Sequence, residues 1–130
     1  MVLFVCTGNT CRSPMAAAIY KAQGLGEADS AGLMAGGEKI SKNALLCMKE
    51  KGIDLSSHIS KPLTRELLEK AKVVCVMTQG HKTAIQNAGY TGKIVVLDCP
   101  DPFGGDLELY RQTRDYLYDI IDRKSKEGVL

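Results

Sequence analysis

The run Val2-Leu-Phe-Val-Cys6, followed at once by Thr7-Gly-Asn-Thr-Cys-Arg12 and then Ser13-Pro14, constrains the fold more than any other feature of the chain. Five consecutive apolar residues, two of them β-branched, fit a strand buried on both faces, the strand type of parallel sheets. Thr7 to Arg12 reads as a polar turn. Ser13 and Pro14 read as a helix start, with Ser as the cap and Pro at the first helical position. A strand that feeds a helix through a short polar loop is the first half of a βαβ unit, and it predicts a parallel α/β fold.

The remaining pattern continues the alternation. A helix is expected over 15–23, ending near Gly24, then a short strand over 28–31 and a loop with three glycines over 32–37. Ala44, Leu45, Cys47 and Met48 form an apolar stripe at helical spacing after Ser41, and it stops at Gly52. Residues 53–61 look irregular, and 62–71 read as a short helix with Leu63, Leu67 and Leu68 facing inward. Buried strands are predicted over 73–77 and 94–97, separated by a helix over 79–88. After a loop at 98–105, Leu107, Tyr110, Leu117, Ile120 and Ile121 mark a long amphipathic helix. With no internal repeat and no linker, residues 1–130 are expected to form a single domain. Its sheet is doubly wound, and its ligand site lies at the carboxyl ends of the strands.

Composition narrows the function mainly by exclusion. Seventeen basic residues against fifteen acidic leave +2, spread without a basic block, so no nucleic-acid partner is expected. The apolar start lacks a basic leader and is too short to span a bilayer, which argues against secretion and against a membrane. Five scattered cysteines fit functional or buried thiols in a reducing, cytoplasmic setting better than a disulfide framework. No phosphate-binding G-x-x-x-x-G-K-[ST], no G-x-G-x-x-G after a strand and no zinc-spaced Cys/His set occurs, so neither metal nor cofactor is expected.

The chemistry concentrates in the first loop. Cys6 ends the strand, Gly8 and Asn9 tolerate left-handed backbone, and Arg12 directly precedes the helix start. Such a loop can turn successive N–H groups inward as an anion nest above a positive helix terminus. The same donors would hold Cys6 as the reactive thiolate, so nucleophile and anion hole coincide. Arg12 can grip two phosphate oxygens with its planar fork, and Ser13 can donate a hydroxyl hydrogen bond to the Cys6 sulfur. Asp101, in the loop Asp98-Cys-Pro-Asp101-Pro102-Phe103-Gly-Gly105, is the candidate acid for the leaving group, with Phe103 as an aromatic wall and Asp98 as the competing acid.

The Cys-x5-Arg-Ser loop, the Asp29-Ser-Ala-Gly32 stretch and the late Asp-Pro-aromatic together resemble the low-molecular-weight protein tyrosine phosphatases. The resemblance covers essentially the whole chain. It implies a four-stranded parallel sheet flanked by helices, with a phosphate-binding loop between the first strand and first helix. It also implies a cysteinyl-phosphate intermediate and no metal. Cys6 becomes the nucleophile, Arg12 the phosphate clamp, Ser13 the thiolate partner, and Asp101 the acid and later the base. Thr7, Gly8, Asn9, Thr10 and Cys11 complete the phosphate loop. Asn9, Ser30 and His58 match a network that braces the loop, although His58 on sequence alone reads as a surface turn residue. Thr78 stands where many members carry Asp, at the far end of that network.

Further departures point to a subgroup. Thr7, Thr10 and Gly104 replace the Leu, Ile and second aromatic usual in tyrosine-specific members. The whole loop, with Asp-Pro-Phe-Gly-Gly, resembles the bacterial protein-arginine phosphatases. Phosphoarginine on proteins is the implied substrate, and a protein-arginine kinase the implied opposing enzyme. A phosphotyrosine substrate is the alternative. A thiol-coupled arsenate reductase is a third reading, disfavoured because Cys47, Cys75 and Cys99 are far apart in sequence and the first two sit on apolar faces. The resemblance also implies a reversible Cys6–Cys11 disulfide that guards the nucleophile against over-oxidation.

Overall fold

The structure is a computed structural model that describes residues 1–130. Strand β1 (Val2–Cys6) is central, as its unbroken apolar sequence predicts. It pairs with β2 (Ala28–Gly32) on one side and β3 (Val73–Val76) on the other, and β4 (Ile94–Val96) adds outside β3. All pairings are parallel.

Side chains alternate across the sheet, so β1 feeds two cores. Val2, Phe4 and Cys6 join the larger core, built with helices α1 (Arg12–Ala22), α2 (Lys42–Lys49) and α5 (Leu107–Lys126). Leu3 and Val5 join the smaller one on the opposite face, covered by α3 (Arg65–Lys70) and α4 (Gln79–Asn87). The strand order 2-1-3-4 places the reversal of winding beside β1, where the connections leaving neighbouring strands diverge to opposite faces. A crevice therefore opens at the carboxyl end of β1.

Several element boundaries depart from the sequence pattern. Helix α1 begins at Arg12, so Ser13 lies inside its first turn and is not its cap; the Ser13 hydroxyl is engaged elsewhere. Helix α3 begins at Arg65 because the Thr64 side chain accepts the Leu67 N–H at 3.2 Å, while Pro62 bridges to Gly32. Met77 and Leu97 lie just past their strands, buried but outside the ladders. No helix is long and apolar enough to cross a membrane.

Helix α2 is fixed to α5 by a charged clamp at its carboxyl end. Glu50 accepts from Arg111 Nη2 at 2.7 Å and from Arg114 Nη1 at 2.8 Å, and buried Arg114 also donates to the Cys47 carbonyl at 2.9 Å. Hydrogen bonds from Arg111 first, and then Arg114, pull the Glu50 carboxyl from 4.5 down to about 2. The folded value is the lower one, so this contribution is fully present above pH 4.5 and is lost as pH falls through about 2. Thermal midpoints measured across that interval should fall more steeply for the wild type than for Glu50→Gln; parallel curves would remove the clamp from the stability of the fold.

Candidate active site

The 7–11 loop leaves β1 and enters α1 with Asn9 in left-handed backbone, φ 55°. Asn tolerates this region because its side chain bonds locally, and here that side chain is fully buried. Its Nδ2 donates to Ser13 Oγ at 2.8 Å and Ser30 Oγ at 3.0 Å, while its Oδ1 accepts the Lys61 N–H at 3.0 Å. His58 Nε2 lies 2.8 Å from the Asn9 carbonyl. Ser30 and His58, a strand residue and a residue of an irregular loop, thus meet on one asparagine. Thr78 takes no part in this network; its hydroxyl caps α4 by accepting the His81 N–H at 3.2 Å.

The Cys6 sulfur sits inside the loop, 2.9 Å from Ser13 Oγ, and accepts the Asn9 N–H at 3.3 Å. Helix α1 carries no side-chain cap, so its first N–H groups stay open toward the loop, and Pro14 removes one that would otherwise need a partner. An anion above Cys6 would meet inward N–H groups and the positive end of an eleven-residue helix together.

Arg12 is a buried cation, 4% exposed. Its Nη1 donates to the Cys99 carbonyl at 3.0 Å, which fixes the plane of the guanidinium. Nη2 lies 3.6 Å from Asp101 Oδ2, and Nε is buried with no partner. The Nε/Nη2 edge is therefore a fork with one loose ion pair and one vacant donor, the geometry that two oxygens of a phosphoryl group fill. Asp101 is half-exposed, and its Oδ1 accepts the Phe103 N–H at 3.0 Å. Phe103 projects into solvent at 81% exposure beside it. Asp98, exposed in left-handed backbone at φ 54°, forms no pair with Arg12.

The two loop threonines differ. Thr7 Oγ1 lies 2.9 Å from Nε2 of His81, a buried residue in the first turn of α4. Thr10 Oγ1 lies 3.6 Å from where a Cβ on Gly8 would sit and bonds to no protein group. Its carbonyl accepts the Ser41 N–H at 2.9 Å, which ties the loop to the start of α2.

Burial, and then the Cys6 charge, push the Cys11 thiol up to about 11. Burial likewise raises Cys47 to about 11 and both Cys75 and Cys99 to about 12. Cys47 and Cys75 lie in helix α2 and strand β3 and are fully buried in the larger core. Cys99, distant from it in sequence, sits beside the site, since its carbonyl holds Arg12.

A thiol at the end of β1 beside a guanidinium at the start of α1 is a constellation suited to nucleophilic attack on a phosphoryl group. The chain belongs to the family described as low molecular weight phosphotyrosine protein phosphatase, whose model matches residues 1–125. It is 41% identical over 143 residues to a protein-arginine-phosphatase of Bacillus subtilis, spanning 97% of this chain and 95% of that one. A structure of a YwlE arginine phosphatase mutant with a phosphorylated active-site serine superposes with a TM-score of 0.88 at 40% identity, over 97% and 93% of the two chains. A low molecular weight protein tyrosine phosphatase of T. tengcongensis superposes equally well, with a TM-score of 0.90 at 40% identity over 97% of each chain. The protein is thus a cysteine-dependent phosphatase.

Gly32 tests how tightly the loop is seated. It pairs with Cys6 across β1 and β2, and a Cβ there would come within 2.7 Å of the Thr7 carbonyl and 3.0 Å of the Asn9 Cβ. Gly32→Ala should displace the loop and lower kcat/KM by about a hundredfold, the usual effect of a misplacement of roughly 1 Å. Steady-state kinetics on any aryl phosphate will show it, and an unchanged kcat/KM would mean that the loop does not rest on Gly32.

Proposed function

We propose that the protein removes phosphate from arginine residues of proteins through a phosphocysteine at Cys6. Cys6 attacks phosphorus in line with the P–N bond. The Arg12 Nε/Nη2 edge, the loop N–H groups and the α1 terminus hold the phosphoryl oxygens as charge shifts onto them. A phosphoryl group on that edge takes Arg12 from Asp101, whose carboxyl then delivers a proton to the departing guanidino nitrogen. Asp101 next takes a proton from the water that opens the phosphocysteine, and inorganic phosphate leaves. Ser13 Oγ and the Asn9 N–H stabilise the sulfur when it leaves again as an anion.

The observation that carries the choice of substrate is the Thr10 hydroxyl, half-buried in the phosphate loop and bonded to no protein group. A guanidino group brings N–H donors that can bond to it; a phenyl ring would bury it unsatisfied. Phe103 offers a planar face for stacking, and Gly104, with φ 81°, adds no second wall. The arginine-phosphatase names among the relatives support the same reading. Phosphotyrosine is the second reading, supported by the family description and by the tyrosine phosphatase of equal structural similarity. The arsenate relay finds little support, because Cys47 and Cys75 are core thiols and burial keeps Cys99 protonated.

A protein-arginine kinase must supply the substrate, and five free thiols suit a reducing cytoplasm. Cys11, buried in the same loop, is the thiol positioned to condense with a sulfenic acid at Cys6, releasing water and forming the disulfide. Its value near 11 makes that step slow unless the loop opens.

Cys6→Ser should abolish turnover while phosphate or vanadate still binds, and Asp101→Asn should slow phosphocysteine formation by about a hundredfold or more. Normal turnover by the serine variant would end the covalent mechanism. An Asp98→Asn variant that is crippled where Asp101→Asn is not would reassign the acid. Thr10→Ile should lower kcat/KM for a phosphoarginine peptide and raise it for a phosphotyrosine peptide. An unchanged ratio would strip Thr10 of the selector role and favour the tyrosine reading.

A further inference from the structure

We infer that His81 is a positioning residue for substrate choice: its 2.9 Å bond from Nε2 to Thr7 Oγ1 fixes the Thr7 hydroxyl at the lip of the phosphate loop as an acceptor for guanidino N–H groups. The inference rests on the phosphoarginine reading and adds a second polar contact, independent of Thr10.

Packing does not account for a histidine here. The side chain is 93% buried, yet Nδ1 has no hydrogen-bond partner at all. A buried polar atom without a partner is destabilising, and an apolar ring of similar size would fill the position without that cost. The bond to Thr7 is the one polar contact the ring makes, and it reaches an exposed residue adjacent to the nucleophile. A Thr hydroxyl has one donor and two acceptor sites. Whichever neutral tautomer His81 adopts, Thr7 Oγ1 keeps at least one free lone pair. The bond also locks the Thr7 side chain, so the hydroxyl cannot rotate away and present its methyl to an aromatic ring.

Charge is consistent with this role. The groups acting on the ring are Arg12 from α1 and Asp101 from the loop before α5. Burial, and next Arg12, lower the proton affinity of His81, and Asp101 partly opposes them. Burial and Arg12 thus both work against a second cation beside an incoming guanidino group.

The test compares a phosphoarginine peptide with a phosphotyrosine peptide of the same sequence, on wild type, His81→Phe, His81→Gln, Thr7→Val and the double variant His81→Phe/Thr7→Val. His81→Phe should lower kcat/KM for phosphoarginine by about tenfold, chiefly through KM, and shift the ratio of the two substrates at least about fivefold toward phosphotyrosine. Its thermal midpoint should be retained, since the orphaned nitrogen is gone. His81→Gln, which can place a polar atom at the Nε2 position, should recover most of the ratio. Thr7→Val, at an exposed position, should reproduce the shift, and the double variant should add nothing to either single change. Equal losses on both substrates, additive effects, or an unchanged ratio in Thr7→Val would reduce His81 to a packing residue. A wild type that hydrolyses phosphoarginine while the ratio ignores these variants overturns this inference alone. A wild type that hydrolyses only phosphotyrosine overturns the parent reading, and this inference with it.

Discussion

The side chain of Asn9 is the tie on which the rest of the site depends. Both of its amide hydrogens and its carbonyl oxygen are used inside the protein, on Ser13, Ser30 and the Lys61 backbone. Its own backbone N–H points at the Cys6 sulfur, and its carbonyl meets His58. One residue in left-handed backbone thus binds the end of β1, the first turn of α1, the middle of β2 and the irregular loop before α3. Because the amide is buried, losing any one partner would leave a desolvated group unpaired, and this makes the arrangement all-or-none. The loop N–H groups can face an anion only while this tie holds.

Arg12 supplies the complementary constraint. A guanidinium so deeply buried is costly unless its charge and its donors are matched. Here the match is incomplete: one donor on a carbonyl, one loose contact to a half-exposed carboxylate, and Nε unpaired. The site is built for an anion that the protein itself does not provide. Asp101 occupies part of that place, so phosphate binding and the position of the Asp101 loop are coupled through a single cation. The Phe103 N–H on Asp101 Oδ1 carries the same coupling to the aromatic wall.

What the sequence disclosed and what it withheld follow from the range of each interaction. Val2–Cys6, the polar turn and Arg12 were legible because burial pattern, turn chemistry and helix start all lie within a dozen neighbouring residues. Asp101 was legible as a loop residue after a buried strand, since parallel strands deliver their ends to one edge. For Ser13 the residue type marks the helix start correctly, but the Cys6 sulfur and Asn9 take its hydroxyl, so it is not the cap. Partners that act through the backbone left no side-chain signature. The Lys61 N–H on Asn9 and the Cys99 carbonyl on Arg12 could come from any residue type. His81 was missed for a different reason. It lies in the first turn of α4, directly after β3, at the sheet edge where the ligand site was expected, and that placement was its available signal.

On the proposed reading, the loop threonines would let one scaffold separate catalysis from choice of substrate. The groups that handle phosphorus, the Cys6 sulfur and the Arg12 guanidinium, are buried and fixed by bonds to Ser13, Asn9 and the Cys99 carbonyl, so they tolerate little change. The Thr7 and Thr10 hydroxyls lie outside the Asn9 tie: Thr7 bonds to His81, and Thr10 bonds to no protein group. A substitution at the lip can therefore alter which leaving group is accepted without disturbing the anion hole, provided the new side chain keeps clear of the narrow gap between Gly32 and the Thr7 carbonyl. Phosphoarginine and phosphotyrosine share the phosphoryl group and differ only outside it. On the proposed reading, any discrimination between them would fall to groups outside the anion hole, where one hydroxyl left satisfied or unsatisfied can change the outcome by orders of magnitude.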